Sequence, residues 1–283
     1  MASWVYVDGA LVPGDQAAVS PLDRGLLYGY GLFETVRAYE GRCFRLGRHL
    51  ERLMAGAERL ALAAALDRDG LERAVYRTME ANGLRDARVR LTVTAGVGER
   101  GLSPPLSGAA TVIVVAEGLA APGHDEGVSA AIVGARRNSA SPLAGIKSLN
   151  YLEALVAHAQ ALAQGAQQAI MLNERGHVAE GSTSNIFLVS AGRLLTPAPA
   201  CGILCGITRE AVLECAADLG IEAAEVELSP EALFAADEVF LTSSIVELAP
   251  VARVDGRAIG DGGRGKVTSL LAAAYRELVR RER

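Results

Sequence analysis

Between Gly118 and Gly127 the chain passes through Pro122 and the acidic pair Asp125-Glu126, and this break divides its 283 residues into two stretches of different rhythm. A chain of this length is expected to form two domains, and with 50% hydrophobic residues it can bury substantial cores. We therefore expect a small N-terminal α/β domain over residues 1–117, an interdomain linker over 118–127 and a larger domain over 128–283. The first stretch reads as short strands at Val5–Val7 and Leu32–Tyr39, then helical periodicity over Leu46–Leu62 and Asp69–Asn82. Arg88–Thr94 alternates polar and apolar residues, whereas Ala110–Ala116 is a continuous apolar run of the kind buried on both faces. The second stretch mixes its element types. Strands are predicted near Val128–Ala135, Ala169–Asn173, Asn185–Ser190 and Glu238–Thr242, and helices at Tyr151–Gln164, Thr208–Leu219 and Lys266–Arg280. The fold class is α/β or α+β with mixed strands, and no repeat or coiled coil is present.

A net charge of −5 and a pI near 5.5 argue against a general binder of nucleic acid or anionic membranes. Any anion the chain holds needs a local site. No stretch approaches the roughly 20 apolar residues of a membrane span, and the start carries no basic segment ahead of a long apolar one, so a cytoplasmic protein is expected. The four cysteines, Cys43, Cys201, Cys205 and Cys215, contain no C-x-x-C pair, and the four histidines form no metal-binding cluster. Neither a structural metal nor a disulfide framework is expected.

Two motifs resemble nucleotide-binding loops and are rejected on their context. Gly96-Val97-Gly98-Glu99-Arg100-Gly101 follows a strand, but a dinucleotide turn must open a helix, and Leu102-Ser103-Pro104-Pro105 enforces an extended path instead. Gly260 to Lys266 spells the start of a phosphate loop, but Val267 stands where a hydroxyl would be needed, and Val254-Asp255-Gly256-Arg257 just ahead signals a hairpin.

Lysine usage is more informative. Only two of the 28 cationic residues are lysine, Lys147 and Lys266. Arginine can replace lysine wherever a fixed charge suffices, but not where an amine must shed its proton and attack a carbonyl. Lys266 reads as an ordinary solvated charge. Lys147 lies between Ile146 and Leu149, ahead of an apolar helix, where desolvation can favour the neutral amine. Thirty-three positions on comes Glu180, opening the run Glu180-Gly181-Ser182-Thr183-Ser184-Asn185. An amine plus a carboxylate suits pyridoxal 5'-phosphate, whose protonated ring nitrogen is the electron sink and needs an anion beside it. A phosphate cradle is available at Gly202–Arg209, glycine-rich and opening a helix at Ile207-Thr208, where free N–H groups and the positive dipole end converge. Ser243 and Ser244 at a strand end offer further hydroxyls, and Arg48 and Arg52, four apart on a helix, are candidate phosphate clamps.

Lys147 in I-K-S-L-N-Y, Glu180 in E-G-S-T-S-N, Gly206-Ile207-Thr208-Arg209 and the segment from Asp23-Arg24-Gly25 to Phe33-Glu34-Thr35 together resemble the class IV, or fold type IV, pyridoxal-phosphate enzymes. That family contains branched-chain and D-amino-acid aminotransferases, (R)-selective amine transaminases and 4-amino-4-deoxychorismate lyases. The resemblance implies a small N-terminal α/β domain and a larger C-terminal pseudo-barrel domain, with a neighbouring subunit completing the pocket of a homodimer. It further implies that Lys147 holds the cofactor and carries the proton, that Glu180 pairs with the ring nitrogen, and that Arg52, rather than Arg48, binds the phosphate with Ile207, Thr208 and Ser244, Gly206 and Ser243 being further members of the expected cofactor set. Leu204 would pack on the ring, Tyr151 would lie near the cofactor oxygen, and Ser184 and Asn185 would complete the cofactor set.

The substrate residues are expected to be Phe33, Arg88, Arg90 and Arg100. The arginines suit a carboxylate-bearing substrate. By resemblance Phe33-Glu34-Thr35-Val36-Arg37 is nearer to the D-amino-acid aminotransferases and the lyases than to branched-chain enzymes, which usually carry glycine after the glutamate. The lyase pattern of Arg-Gly followed by an aromatic is broken by Leu102. The expected activity is transfer of an amino group between an amino acid, D- or branched-chain, or a primary amine and a 2-oxo acid by a ping-pong route. Release of pyruvate from aminodeoxychorismate is the alternative, and a non-catalytic binder of pyridoxal phosphate or a nucleotide is the third.

Overall fold

The computed structural model describes residues 4–62, 66–98, 101, 110–120 and 127–282, and divides into two compact units. The first comprises Met1–Ala121 with Ile146–Asn150 and Glu282–Arg283, and the second Pro122–Gly145 with Tyr151–Arg281. The centre of the expected linker, 121–126, lies outside the described residues.

The first unit is an antiparallel six-stranded sheet built from β1 (Trp4–Val7), β2 (Ala10–Pro13), β3 (Gly31–Tyr39), β4 (Arg42–Cys43), β5 (Ala87–Thr94) and β6 (Thr111–Gly118) in the order β2-β1-β6-β5-β3-β4. A short helix α1 (Arg24–Tyr28) starts on the Asp23 carboxylate, which accepts from Gly25 N at 2.6 Å. Two longer helices, α2 (Leu46–Arg59) and α3 (Arg68–Ala81), cover one face of the sheet. Leu46, Leu50, Leu53 and Ala57 form the buried stripe of α2, and Leu71, Ala74, Val75, Thr78 and Met79 that of α3, the spacing that puts apolar residues on one helical face. Each buried leucine contributes roughly 1.5–3 kcal/mol relative to exposure. β6 departs from expectation. Val114 and Ala116 are fully buried, but Ile113 and Val115 on the opposite face are only half-buried, because the helices of this unit cover one side of an antiparallel sheet.

The segment carrying Lys147 joins this sheet at the open edge of β3. Phe33 N donates to Lys147 O at 3.0 Å, Leu149 N donates to Gly31 O at 2.9 Å, and Ser148 bridges Leu32. The fit requires glycine at position 31, where a Cβ would stand 2.4 Å from the Val93 carbonyl and 2.7 Å from Leu149.

A carboxylate is sealed against the helices of this core. Glu34 faces α2 and is fully buried; its carboxylate accepts from Arg52 Nε at 2.8 Å and Nη2 at 2.6 Å and contacts His49 Nδ1 at 2.7 Å. Burial alone would raise the Glu34 pKa, but Arg52 foremost, with the His49 hydrogen bond, brings it down to about 2. Burial also depresses His49, so at neutral pH its ring is an uncharged donor and the ion pair belongs to Arg52.

The second unit is a mixed sheet of nine strands: β7 (Val128–Arg137), β8 (Gln168–Asn173), β9 (Val178–Gly181), β10 (Asn185–Ser190), β11 (Arg193–Pro197), β12 (Ala223–Val226), β13 (Glu238–Ser243), β14 (Glu247–Val254) and β15 (Arg257–Ala258). The order is β12-β11-β10-β13-β14-β7-β8-β9, with β15 paired to β14; β7 runs parallel to β8 and β14, and β11 parallel to β12. Helix α4 (Leu152–Ala163) lies on β7 and β8 through Ala154, Ala157 and Ala161, whose small side chains allow close approach. The other helices are α5 (Ile207–Asp218), α6 (Pro230–Phe234) and α7 (Lys266–Arg281), with α5 packed on α7.

Both rejected motifs find structural explanations. Val97 bridges Asp23 in extended pairing and no helix follows Gly96 within the described residues, 99–100 and 102–109 lying outside them. The N-terminus of α7 is closed by the protein itself: Glu238 accepts from Val267 N at 2.9 Å and from Thr268 N at 2.7 Å. Asp255 (φ 48°) and Gly256 (φ 76°) turn the chain between β14 and β15, the primed geometry of a tight hairpin.

Acid should expose the Glu34 pair. Its pKa is depressed in the fold, so its contribution is complete above the ordinary carboxylate pKa and is lost as pH falls toward about 2. We expect a loss on the order of 2–3 kcal/mol across that window, read from urea midpoints. Glu34→Gln should flatten the slope while lowering stability at neutral pH; an unaltered acid slope would show that another carboxylate governs it.

Candidate active site

In the first unit, backbone pairing puts Lys147 beside Phe33. Its Nζ is 4.5 Å from the Phe33 ring centroid, and the Arg90 guanidinium carbon is 3.9 Å from the same centroid. Arg90 reaches the ring diagonally, since Phe33 pairs across the sheet with Thr92 and Thr35 with Arg90. Of the expected substrate residues, Phe33 and Arg90 thus meet at Lys147. Arg88 is exposed on the same sheet face, opposite Arg37 and Glu117, and Arg100 lies outside the described residues. The Phe33 ring holds the lysine amine by a cation–π contact and is approached by Arg90 as well.

On the opposite face of β3, Glu34 aims Arg52 through paired hydrogen bonds, and the Arg52 side chain retains 16% exposure. Arg48 instead is exposed and bonded to Glu51 on its own helix. Glu34 and His49 were not anticipated from sequence as positioning groups. The signal was present: His49 and Arg52 lie three apart on the stripe that carries Leu46, Leu50 and Leu53, and basic residues facing a core require an acid there.

In the second unit the centre is Glu180, in β9 and 4% exposed. Its Oε1 accepts from Arg137 Nε at 2.8 Å, and its Oε2 accepts from Leu204 N at 3.0 Å. Asn185 Nδ2 donates to Leu204 O at 2.7 Å and stands 3.5 Å from Glu180 Oε2, tying the 202–206 loop to β9 and β10. A larger residue at 206 would displace Asn185, whose Oδ1 would stand 2.1 Å from the added Cβ. From this point α5 begins, with Gly206 as N-cap and no side-chain cap; Ile207 and Thr208 are buried in its first turn. The hydroxyls of Ser184 and Thr242 are buried without a hydrogen-bond partner. Ser184 and Ser243 line one small cavity, and Ser244 follows on a half-buried turn that ends at Glu247 (φ 56°). Tyr151 occupies the N-cap position of α4.

The second unit therefore gathers Glu180, Asn185, Leu204 and Gly206 around one carboxylate, with Ile207 and Thr208 leading away from it. An uncapped helix start and buried hydroxyls lacking partners suit a phosphate, and a carboxylate fixed by donors suits a protonated ring nitrogen. The residues present fit pyridoxal phosphate. Among the described residues no group of His, Cys, Asp and Glu could hold a metal, and no helix is long and apolar enough to cross a membrane.

The family model for class IV amino-transferases matches residues 31–254. A putative branched-chain-amino-acid aminotransferase of Methanocaldococcus jannaschii is 38% identical over 275 residues, covering 97% of this chain and 96% of that protein. The aminodeoxychorismate lyase of Bacillus subtilis is 32% identical over 281 residues, covering 98% and 94%. The fold matches a T.th. branched-chain amino acid aminotransferase complexed with N-(5'-phosphopyridoxyl)-L-glutamate, at a TM-score of 0.93 and 33% identity over 100% of this chain and 96% of that one. On a family pattern that spans most of its length, with full-length relatives above 30% identity, this chain belongs to the class IV aminotransferases.

Proposed function

We propose that this protein is a pyridoxal-phosphate-dependent aminotransferase that exchanges an amino group between branched-chain amino acids and 2-oxo acids, with glutamate as a partner donor. The observation that supports it most is the Glu180 carboxylate, buried and bonded to Arg137 and Leu204, in a chain similar over its full length to branched-chain aminotransferases. Phe33-Glu34-Thr35 leans by itself toward the D-amino-acid aminotransferases and the aminodeoxychorismate lyases, but so short a segment weighs less than similarity over 275 residues.

Bound pyridoxal phosphate would supply the carbonyl that captures an amine and the ring that accepts electron density from substrate Cα. In this reading Lys147 Nζ carries the proton between substrate Cα and the cofactor carbon C4′. Glu180 keeps a proton on the ring nitrogen, and the bond from Leu204 N keeps that carboxylate from swinging away. Gly206, Ile207, Thr208, Ser243 and Ser244 would hold the phosphate, and Arg52, oriented by Glu34 and His49, is the arginine that would join them. Leu204 would pack on the ring, Tyr151 would lie near the cofactor oxygen, and Ser184 and Asn185 would support the Glu180 loop. Phe33 shapes the apolar part of the substrate pocket, and Arg88, Arg90 and Arg100 supply positive charge for carboxylates.

The second reading, an aminodeoxychorismate lyase, is favoured by the Bacillus subtilis relative. An amino donor added without acceptor separates the two. L-Leucine, L-isoleucine or L-glutamate should bleach the yellow cofactor band, and D-alanine should not. Persistent colour with every donor, together with pyruvate release from aminodeoxychorismate, would transfer the assignment to the lyase.

We expect a homodimer in the cytoplasm, and the exposed apolar residues bear on the dimer. Leu152, Leu155, Val156 and Leu162 form an exposed apolar stripe on α4, and Leu26, Leu27 and Tyr28 are exposed on α1. Leu155→Asp should convert a dimer to monomer in light scattering after gel filtration; an unchanged mass would place the interface elsewhere.

Lys147→Ala and Lys147→Arg should each reduce turnover by about a thousandfold or more, because a guanidinium retains the charge but cannot attack the cofactor carbonyl. Lys266→Arg should leave the rate within about twofold, since Lys266 is exposed at the start of α7. Substantial turnover in either Lys147 variant would refute the assignment.

A further inference from the structure

Arg137 does not serve Glu180 alone. It ends β7, and while its Nε donates to Glu180 Oε1 at 2.8 Å, its Nη1 donates to Glu153 Oε2 at 2.8 Å. Glu153 lies in the first turn of α4, two residues beyond Tyr151 and six beyond Lys147 in sequence. The arginine is thus stretched between a nearly buried carboxylate and a half-exposed one, with side-chain exposures of 6% for Glu180 and 43% for Glu153. Neighbouring charges in this unit are engaged elsewhere: Arg136 turns back to the carbonyls of Val133 and Gly134, and Glu174 accepts from Ser139.

We propose that Glu153 is a positioning residue for the transamination site, holding Arg137 and offsetting its charge so that the Glu180 carboxylate stays available to a protonated ring nitrogen. The inference rests on the assignment of Glu180 to that nitrogen. A guanidinium bonded to Glu180 pulls electron density from the carboxylate and opposes a second cation beside it. With Glu153 on its far side, the set of Arg137, Glu153, Glu180 and ring cation alternates in sign and is neutral overall; without Glu153 it carries a net positive charge. The end of Arg137 is also released from one of its two anchors, so Glu180 gains freedom in direction. An ordinary pair between a helix-start acid and a nearby arginine would contribute only to stability, and to that by little.

The experiment uses holoenzyme reconstituted with ring-nitrogen-labelled pyridoxal phosphate in wild type, Glu153→Gln, Glu153→Asp and Glu180→Gln. In Glu153→Gln the nitrogen-15 resonance should report loss of the ring proton at a pH lower by about half a unit to one unit, with kcat down about three- to tenfold and KM for the amino donor nearly unchanged, an effect that shrinks at high salt. Glu153→Asp should restore part of the shift. A nitrogen resonance and kcat identical to wild type in Glu153→Gln, with only the melting temperature lowered, would overturn the proposal and leave a surface ion pair. If Glu180→Gln also leaves the resonance unmoved, the assignment of Glu180 itself fails, which is a distinct outcome.

Discussion

A carboxylate stays charged below a protein surface only where donors meet it, and each unit of this chain is organised around one such group. In the first, Glu34 sits on the helix-facing side of β3 and draws Arg52 and His49 inward from α2, fixing how that helix lies on the sheet. In the second, Glu180 collects Arg137 from the end of β7 and the Leu204 amide from the loop ahead of α5, with Asn185 binding that loop to β10. Neither arrangement is favourable merely because opposite charges are close. Desolvation opposes both, and they persist because donors meet both oxygens of each carboxylate.

The two carboxylates serve different ends. Glu34 is enclosed, and its electrostatic work is spent on the direction of a guanidinium that remains partly accessible. Glu180 has one oxygen on an arginine and one on a backbone amide, an arrangement that fixes direction while a backbone donor, unlike a side chain, cannot be rotated away. In the same unit the chain uses glycine where a neighbour must pass close, as at Gly206 against Asn185, starts α5 without a side-chain cap, and leaves the Ser184 and Thr242 hydroxyls buried without partners. Such features reduce stability in isolation. They are the expected imprint of a group with a phosphate and a ring.

Arginine bias made the candidate catalytic lysine legible. Lys266 is exposed, as an ordinary solvated charge should be, whereas Lys147 is half-buried against Phe33. The regular elements were legible too, because α2 and α3 carry clean apolar stripes and β5 alternates polar with apolar residues. β2, β4, β9, β11 and β12 were not anticipated, and of β14 and β15 only the turn that joins them was: most are short, and a strand of two to five residues presents too few positions for a period of two to stand out. The expectation that β6 is buried on both faces failed for another reason, since apolarity does not say which side the helices cover.

By itself the sequence determined the class of chemistry: a lysine retained where arginine serves elsewhere, a glutamate opening a run of small polar residues, and a glycine-rich helix start are chemical identities, and they are present in the chain before it folds. Only the tertiary structure decided the partners. That Glu34 orients Arg52, that Arg90 shares the Phe33 ring with Lys147, and that Arg137 is divided between Glu180 and Glu153 all depend on register and burial between segments far apart in sequence, and desolvation, which gives those pairings their force, has no meaning until the chain has excluded water.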